Sequence, residues 1–369
     1  MFRGFGFEYK VVPVTWQAFA IICHTGAMTP PGQRRRATIT DVAEAAGVAA
    51  STVSRAFTRP DRVNHQTRAH VLAVAEELGS LPNPAARALE SGRTNTLALL
   101  VPDITNPFFA GAIKGAERAA VAAGLTLVLG DTQENPATEA QLVRRLGPAV
   151  DGFVLAASRL PDDELRRAAE LNPLALINRA TPGVACVVAD YDTGTRQIVD
   201  HLASHGHRGF VVLGGPAESW SGARRWAGLR AAAEVHGLAA TRFGPYTPTL
   251  GGGPAAADAA LGSGATAVVA HNDMLAIGVL RRLAERGVDV PGDVSVVGFD
   301  DIFGADFCSP TLTTLAERTE DAGARAVEAV VHQAVVRAVE PPTRVLPTRL
   351  VVRDSTGPVP SWRAGPVPR

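Results

Sequence analysis

The stretch TITDVAEAAGVAASTVSRAF, residues 38–57, decides how the first part of this chain folds. Its apolar positions recur at helical spacing and Gly47 interrupts them, so it reads as two short helices joined by a tight turn. Thr40 is the expected N-cap of the first helix, with Asp41 in its first turn, where the helix dipole favours an acid. Ala43 is small where two helices must approach, Gly47 supplies the turn, and Val48 and Val53 face inward. A small residue, a glycine and an apolar residue at these offsets make the helix-turn-helix arrangement. A third helix should follow, capped by Asn64 and carrying Thr67, Val71, Val74 and Leu78 on one stripe.

The charge around this stretch differs from that of the whole chain. Overall, 36 Lys+Arg balance 36 Asp+Glu in 369 residues, which alone would argue against a partner as charged as DNA. Between Arg34 and Asn95, however, nine arginines stand against six acids, whereas the residues after Asn95 carry 25 basic and 29 acidic side chains. A basic end beside a helix-turn-helix suits phosphate contacts.

Several function classes are excluded by what is missing. Lys10 and Lys114 are the only lysines, and neither sits in the G-K-[ST] step of a Walker loop or in a setting suited to kinase or Schiff-base chemistry. No serine lies in G-x-S-x-G and no H-E-x-x-H occurs. His201, His205 and His207 fall near a helix C-terminus, where the dipole favours histidine, and a metal site there is the weaker reading. The glycines of LGGP and TLGGG read as turns, not as a dinucleotide-binding loop. Cys23, Cys186 and Cys308 lie far apart, which points to a reducing cytoplasm and away from a disulfide framework. The apolar run Val11–Cys23 is interrupted by Pro13, Thr15 and Gln17, is too short to span a bilayer, and precedes no small-residue cleavage site. Residues 1–36 therefore read as a leader outside the fold, with Met28 as the expected true start. No catalytic set, cofactor or metal is expected.

After Thr96 short apolar runs alternate with helical segments: TLALLVP, LTLVLGD, DGFVLA, LALIN, FVVLGG, ATAVVAHN and VSVVGFDD. Nearly continuous apolar strands separated by helices imply parallel sheets covered on both faces, here two doubly wound halves with ligands at the carboxyl ends of the strands. The polar residues after those runs are the cleft candidates: Asn178, Arg225, Asn272 and Asp300. Arginine and aspartate together supply the donors and acceptors that neighbouring sugar hydroxyls need, and Phe108, Phe109 and Tyr246 could stack on an apolar ring face. Each also has a plainer role open to it: Asn272 and Asp273 as helix caps, Arg225 as a surface arginine, Phe109 as core.

The opening stretch, together with PDRVNHQTRAHVLAVAEELGSLPNPAARALESGRT at 60–94, resembles the DNA-binding head and hinge of the lactose-repressor/galactose-repressor (LacI/GalR) family. The similarity continues to about residue 354 through VPDITNPFF, VDGFVL, SHGHRGF, RRWAGLR, HNDMLAIGVL, VPGDVSVVGFDD and PTLTTL. The resemblance implies a helix-turn-helix domain at 37–82, a hinge helix and linker at 83–95, and a periplasmic-binding-protein-like core at 96–354. Three crossovers between the core's lobes are expected, near Asp190, 305 and 340, and a disordered tail at 355–369 without leucine heptads for a tetramer.

It also implies roles. Ala50, Ser51 and Arg55 would read base edges, Thr52 and Ser54 would touch phosphates, and Thr40, Asn64 and Arg87 would complete the DNA-contacting set. Ala49 departs from the family, standing where a serine usually caps the recognition helix. Leu89, in the hinge NPAARALE, matches a residue that wedges between base pairs in the minor groove, although Glu90 puts an acid beside the DNA. Phe108, Phe109, Asn178, Ser221, Arg225, Tyr246, Asn272 and Asp300 match effector-contacting positions. The implied protein is a cytoplasmic homodimeric repressor, not an enzyme, that binds operator DNA and a small-molecule effector and no membrane. A solute-binding protein of a sugar transport system would share the core, but the DNA-binding head discriminates against it.

Overall fold

The computed structural model describes residues 37–79, 93–334 and 341–359. The expected leader with Met28, the hinge residues Arg87, Leu89 and Glu90, and the tail from 360 onward lie outside the described residues. The chain divides into two units, and each is described by itself.

In the first unit, α1 (Ile39–Ala45), α2 (Ala50–Thr58) and α3 (His65–Glu77) enclose a small core of Val42, Ala43, Ala46, Val53, Ala56, Val71 and Ala75. Gly47 makes the turn with φ 63°, a backbone conformation that glycine adopts without steric cost. The cap of α1 is Thr38, not Thr40. Thr38 and Asp41 form a reciprocal capping box, the Thr38 N–H donating to Asp41 Oδ2 at 2.7 Å, and two orphan donors satisfied together start the helix earlier. Asn64 caps α3 as expected, accepting from Gln66 N at 2.9 Å. Leu78 ends α3 exposed, and Ala75 takes the inward place its spacing had suggested.

The second unit holds two sheets. In lobe 1, β1 (Thr96–Val101), β2 (Thr126–Asp131), β3 (Gly152–Ala156), β4 (Leu174–Ile177), β5 (Ala185–Ala189) and β11 (Thr343–Leu346) run parallel in the order β2-β1-β3-β4-β5-β11. Side chains alternate across this sheet. Leu97, Leu99 and Val101 pack beneath α4 (Phe108–Ala122) and α11 (Thr319–Gln333), while Ala98, Leu100, Phe153 and Leu155 form the opposite core with α5 (Pro136–Leu146) and α6 (Asp162–Leu171). In lobe 2 the order is β7-β6-β8-β9-β10-β12, with β6 (Gly209–Leu213), β7 (Ala239–Phe243), β8 (Ala267–Ala270), β9 (Ser295–Asp300) and β10 (Thr313–Ala316) parallel and β12 (Arg349–Val351) antiparallel. Its helices are α7 (Tyr191–Ser204), α8 (Trp220–His236), α9 (Gly253–Ser263) and α10 (Asp273–Glu285).

The chain passes between the lobes at Asp190, at 317–318 and at 347–348. The second passage is later than the expected 305, because Ala305 and Leu312 are buried in lobe 2 and β10 has still to join its sheet. The third follows β11, which pairs with β5 before the chain returns. The first and third passages run side by side, Asp190 N donating to Leu346 O at 2.8 Å and Thr348 Oγ1 to Asp190 O at 2.9 Å.

Where α4 crosses α11 the two backbones nearly touch. A Cβ on Gly115 would lie 1.9 Å from Glu320 O, and one on Gly323 would lie 2.0 Å from Ala112 O. This contact fixes the start of α11, and with it the second passage.

The disordered tail expected from 355 begins too early. Ser355 is fully buried, its N–H donates to Thr311 O and its Oγ to Val296 O at 2.6 Å, while Gly357 N donates to Ser295 Oγ at 3.1 Å. Small hydroxylated residues satisfy backbone groups beside β9, so residues 355–359 are part of lobe 2. At the other end, Thr94 and Asn95 donate to the Asp151 carboxylate and join the core rather than the hinge.

Candidate functional site

The head presents one polar helix face. Ala50, Ser51 and Arg55 of α2 are exposed, Thr52 and Ser54 are half-buried, and Thr40 is exposed on α1. Arg59 and Arg62 extend the exposed basic surface past the end of α2. Ala49 makes no side-chain cap to α2, in line with the sequence, and a helix starting without that cap forgoes about 0.5–2 kcal/mol. Since only three valines and four alanines form the buried core here, that loss is appreciable.

In the core, side chains from the ends of several strands converge on Arg225. This residue lies one turn into α8, and its Nη1 donates to His271 O at 2.6 Å, just after β8. Its Nη2 donates to Asp300 Oδ1 at 2.9 Å, at the end of β9, and to Glu317 Oε1 at 2.8 Å, on the second passage. Tyr191 Oη lies 3.4 Å from Nη2 at the start of α7, and the guanidinium stands 4.5 Å from the Phe299 ring and 5.1 Å from the Tyr191 ring. From lobe 1, Asn178 at the end of β4 donates through Nδ2 to Glu317 Oε2 at 2.7 Å. Glu317 thus joins Arg225 of lobe 2 to Asn178 of lobe 1. A cavity of about 10 Å³ beside Asn178 and Glu317, also lined by Phe108, is at the lower limit for one water.

Two of the converging residues have left-handed backbones, Asn178 with φ 52° and Asp300 with φ 113°. For a residue with a Cβ such conformations cost roughly 1–3 kcal/mol and cluster where a site demands them.

Burial works against the charge of Arg225, but Tyr191, Asp300 and Glu317 more than offset it and hold the guanidinium above its ordinary range. Burial drives Asp300 well above the usual carboxyl range against the pull of Arg225, with Glu317 and Asp273 adding to the rise. Burial, together with the charges of Arg225, Arg159 and Arg242, holds His271 well below the usual histidine range, so its ring is neutral.

Of the eight effector candidates, Asn178, Arg225 and Asp300 enter this network. Phe108 borders its cavity. Phe109 packs in the lobe 1 core, edge-on to Phe108 at 5.0 Å, which is the plainer of its two readings. Asn272 caps α10, accepting from Leu275 N at 3.0 Å and donating to Pro248 O at 3.0 Å, so its amide is engaged within the fold. Ser221 meets Ser219 Oγ at 3.2 Å, and Tyr246 packs against the lobe 2 core. His201 and His207 hold the segment after 354, His201 Nε2 lying 2.8 Å from Thr356 Oγ1 and His207 Nε2 3.2 Å from Gly357 O.

Glu317, Tyr191 and the His271 carbonyl were not anticipated. Both Glu317 and Tyr191 obey the rule that found the others, following β10 and β5 within two residues, but the block PTLTTL stops at Leu315 and the sequence reading stopped at Asp190.

Asp273 is a further buried acid, accepting from Thr314 Oγ1 at 2.6 Å and from Ile302 N at 2.9 Å. Burial raises its pKa from an ordinary value near 4 to about 7, against those two hydrogen bonds. An acid that holds its proton more tightly when folded contributes stability that is complete below the unfolded pKa and is lost as pH rises through the folded one. Asp273→Asn is therefore expected to gain on the wild type as pH rises from 5 to 8, by about 2.7 kcal/mol, the two pKa units that separate pH 5 from the folded value of about 7. Urea unfolding at the two pH values tests this, and parallel stability curves would contradict it.

A family model described as "Bacterial regulatory proteins, lacI family" matches residues 38–83, and a "Periplasmic binding protein-like domain" matches residues 199–356. The HTH-type transcriptional repressor CytR of Escherichia coli (strain K12) is 31% identical over 336 residues, covering 89% of this chain and 98% of the relative. A crystal structure of the lac repressor dimer bound to operator and the anti-inducer ONPF superposes with TM-score 0.79 at 26% identity, covering 88% of this chain and 100% of that one. A transcriptional regulator CelR–cellobiose complex superposes with TM-score 0.65 at 30% identity, covering 87% of this chain and 100% of that one.

Proposed function

Because the chain belongs to the LacI family of bacterial regulatory proteins, we propose that it is a sequence-specific transcriptional repressor whose operator affinity is set by a small molecule, a sugar or sugar derivative, bound between the core lobes. One observation carries this reading: a single chain joins a helix-turn-helix head with Arg55 exposed on α2 to a core whose Asn178, Glu317, Asp300 and Arg225 link the strand ends of both lobes. A solute-binding protein needs the second feature and has no use for the first. The protein works in the cytoplasm, without catalysis, as a homodimer, the state in which the related lac repressor meets its operator.

The chemistry follows from where the groups sit. A ligand that competes for Asn178 or Glu317 acts on the second passage, and so on the angle between the lobes. An effector shifts the operator equilibrium only by as much as it prefers one closure of the lobes over the other. On the DNA, exposed Arg55 can donate bidentately to guanine, whereas Ala50 offers only a methyl contact to thymine. Since phosphate contacts release counterions, operator affinity falls steeply with salt although the whole chain is neutral.

Selection from random duplexes with the full chain is expected to enrich one near-palindromic sequence. Arg55→Ala should then bind that sequence about 5- to 150-fold more weakly, the equivalent of one bidentate base contact worth roughly 1–3 kcal/mol, with non-specific binding little changed. Equal affinity of variant and wild type in a mobility-shift titration would remove Arg55 from base reading.

A further inference from the structure

The balance of donors and acceptors around Arg225 constrains the ligand more tightly than the fold does. An arginine that recognises phosphate or carboxylate offers its planar fork to two oxygens of the anion. Here Nη2 is taken by two carboxylates, Asp300 and Glu317, and Nη1 donates to the His271 carbonyl. Arg225 Nε is buried and has no hydrogen-bond partner among the described residues. Nε–H and the second N–H of Nη1 thus stand beside two carboxylates that retain more unused lone pairs than these two donors can fill, a surplus of acceptors.

The charge count agrees. With both acids ionised the trio of Arg225, Asp300 and Glu317 carries one net negative charge, and with a proton on Asp300 it is neutral; in neither state is it positive. His271 adds no charge. Around it, Arg159 is matched by Glu134 at 2.7 Å, Arg179 by Asp162 at 2.6 Å and Arg318 by Asp321 at 2.5 Å, while Arg242 lies exposed on β7. A sugar hydroxyl accepts from Nε and donates to a carboxylate at the same time, whereas a carboxylate or a doubly ionised phosphate ester can only accept, and inorganic phosphate brings its negative charge to a trio with no net positive charge to meet it.

We propose that the core takes an uncharged polyhydroxy effector, its hydroxyls donating to Asp300 and Glu317 and one of them accepting from Arg225 Nε, and that Glu317 bars the phosphorylated or carboxylated counterparts. The proposal rests on the reading of this network as the effector site. Glu317 is then a specificity-determining residue: it cancels the charge an anion would seek, from a position on the second passage that also engages Asn178 of lobe 1.

The test uses the full chain with inorganic phosphate as the anionic probe, followed by ³¹P line broadening. Wild type should show no saturable binding up to the highest phosphate concentration used, and Glu317→Gln should saturate with a Kd at least about tenfold below that concentration, since one buried negative charge has been removed. Glu317→Ala is the second variant should Glu317→Gln not fold, and it should gain phosphate in the same way, since it removes the same carboxylate. In parallel, wild type is titrated with matched pairs, ribose with ribose 5-phosphate and glucose with glucose 6-phosphate and gluconate, and operator affinity is read by mobility shift. Saturable phosphate binding by wild type, an operator response to a sugar phosphate or sugar acid, or a folded variant that gains no phosphate would each overturn the proposal. A chain that enriches no DNA sequence in the selection described above would instead end the repressor reading, and would leave the phosphate comparison standing.

Discussion

Replacing Arg225 by alanine is expected to lower the stability of the core by about 3–5 kcal/mol at pH 7, the range seen when one partner of a buried ion pair is removed. The size follows from what would be left behind. The side chains of Arg225, Asp300 and Glu317 are 7%, 4% and 3% exposed, so without the guanidinium two carboxylates face each other with almost no water. The variant must take up protons to fold, which raises the folded-state pKa values of those acids above their unfolded ones. Its deficit should therefore shrink as pH falls toward the unfolded carboxyl range and grow as pH rises. The control is Arg230→Ala on the same helix, whose pair with Glu234 is at 3.7 Å and exposed, and such surface pairs contribute about 0–1 kcal/mol. Urea unfolding of both variants at pH 5 and pH 7 decides the matter: equal, pH-independent losses would mean that the Arg225 network does not hold the core together.

Gly323→Val should have the second largest effect, a loss of about 3 kcal/mol or more, at the upper end of what overpacking costs. A Cβ there would lie 2.0 Å from Ala112 O and 2.9 Å from Ala116 N, which are main-chain atoms that no rotamer change can move aside. The helices α4 and α11 would have to separate, opening the lobe 1 core at Phe109, Ala116, Ala326 and Val327. Gly262, within α9, is the opposite case, since a Cβ there meets nothing within 4 Å. Gly262→Ala should be neutral or stabilise by up to about 1 kcal/mol through helix propensity alone. Thermal unfolding of the two variants should move the midpoint in opposite directions or only for Gly323, and similar losses from both would refute the close-contact argument.

The two lobes were legible because the central strands, TLALLV, GFVLA, AVVA and SVVGFD among them, are nearly continuous apolar runs, the pattern of strands in a parallel sheet buried on both faces. The helix-turn-helix was legible for a comparable reason, Ala43, Gly47 and Val53 being local constraints. What escaped was set by contacts distant in sequence. Thr38 outcompetes Thr40 as cap because Asp41 returns a bond to it. Ser355 is ordered because β9 presents Val296 N–H and C=O to it, 59 residues away in the chain. Glu317 reads locally as an acid among others in LAERTE, and acquires its role only when the second passage sets it between Arg225 and Asn178. Single-residue chemistry could nominate Arg225 and Asp300, but not say that a second carboxylate already held the same nitrogen.

The three passages of chain between the lobes also bear on how such a protein can change over generations. Lobe 1 is assembled from residues 94–189 together with 319–334 and 343–346, and lobe 2 from 191–316 together with 349–359, so neither lobe corresponds to one uninterrupted length of gene. A single exchange of DNA between relatives can transplant the head, which is continuous over residues 37–79, but it cannot transplant a lobe. A new operator can therefore be acquired in one recombination, whereas a new effector must be reached substitution by substitution, on our proposal at strand ends such as Asn178, Asp300 and Glu317. The two halves of the regulator's specificity are free to evolve at different tempos.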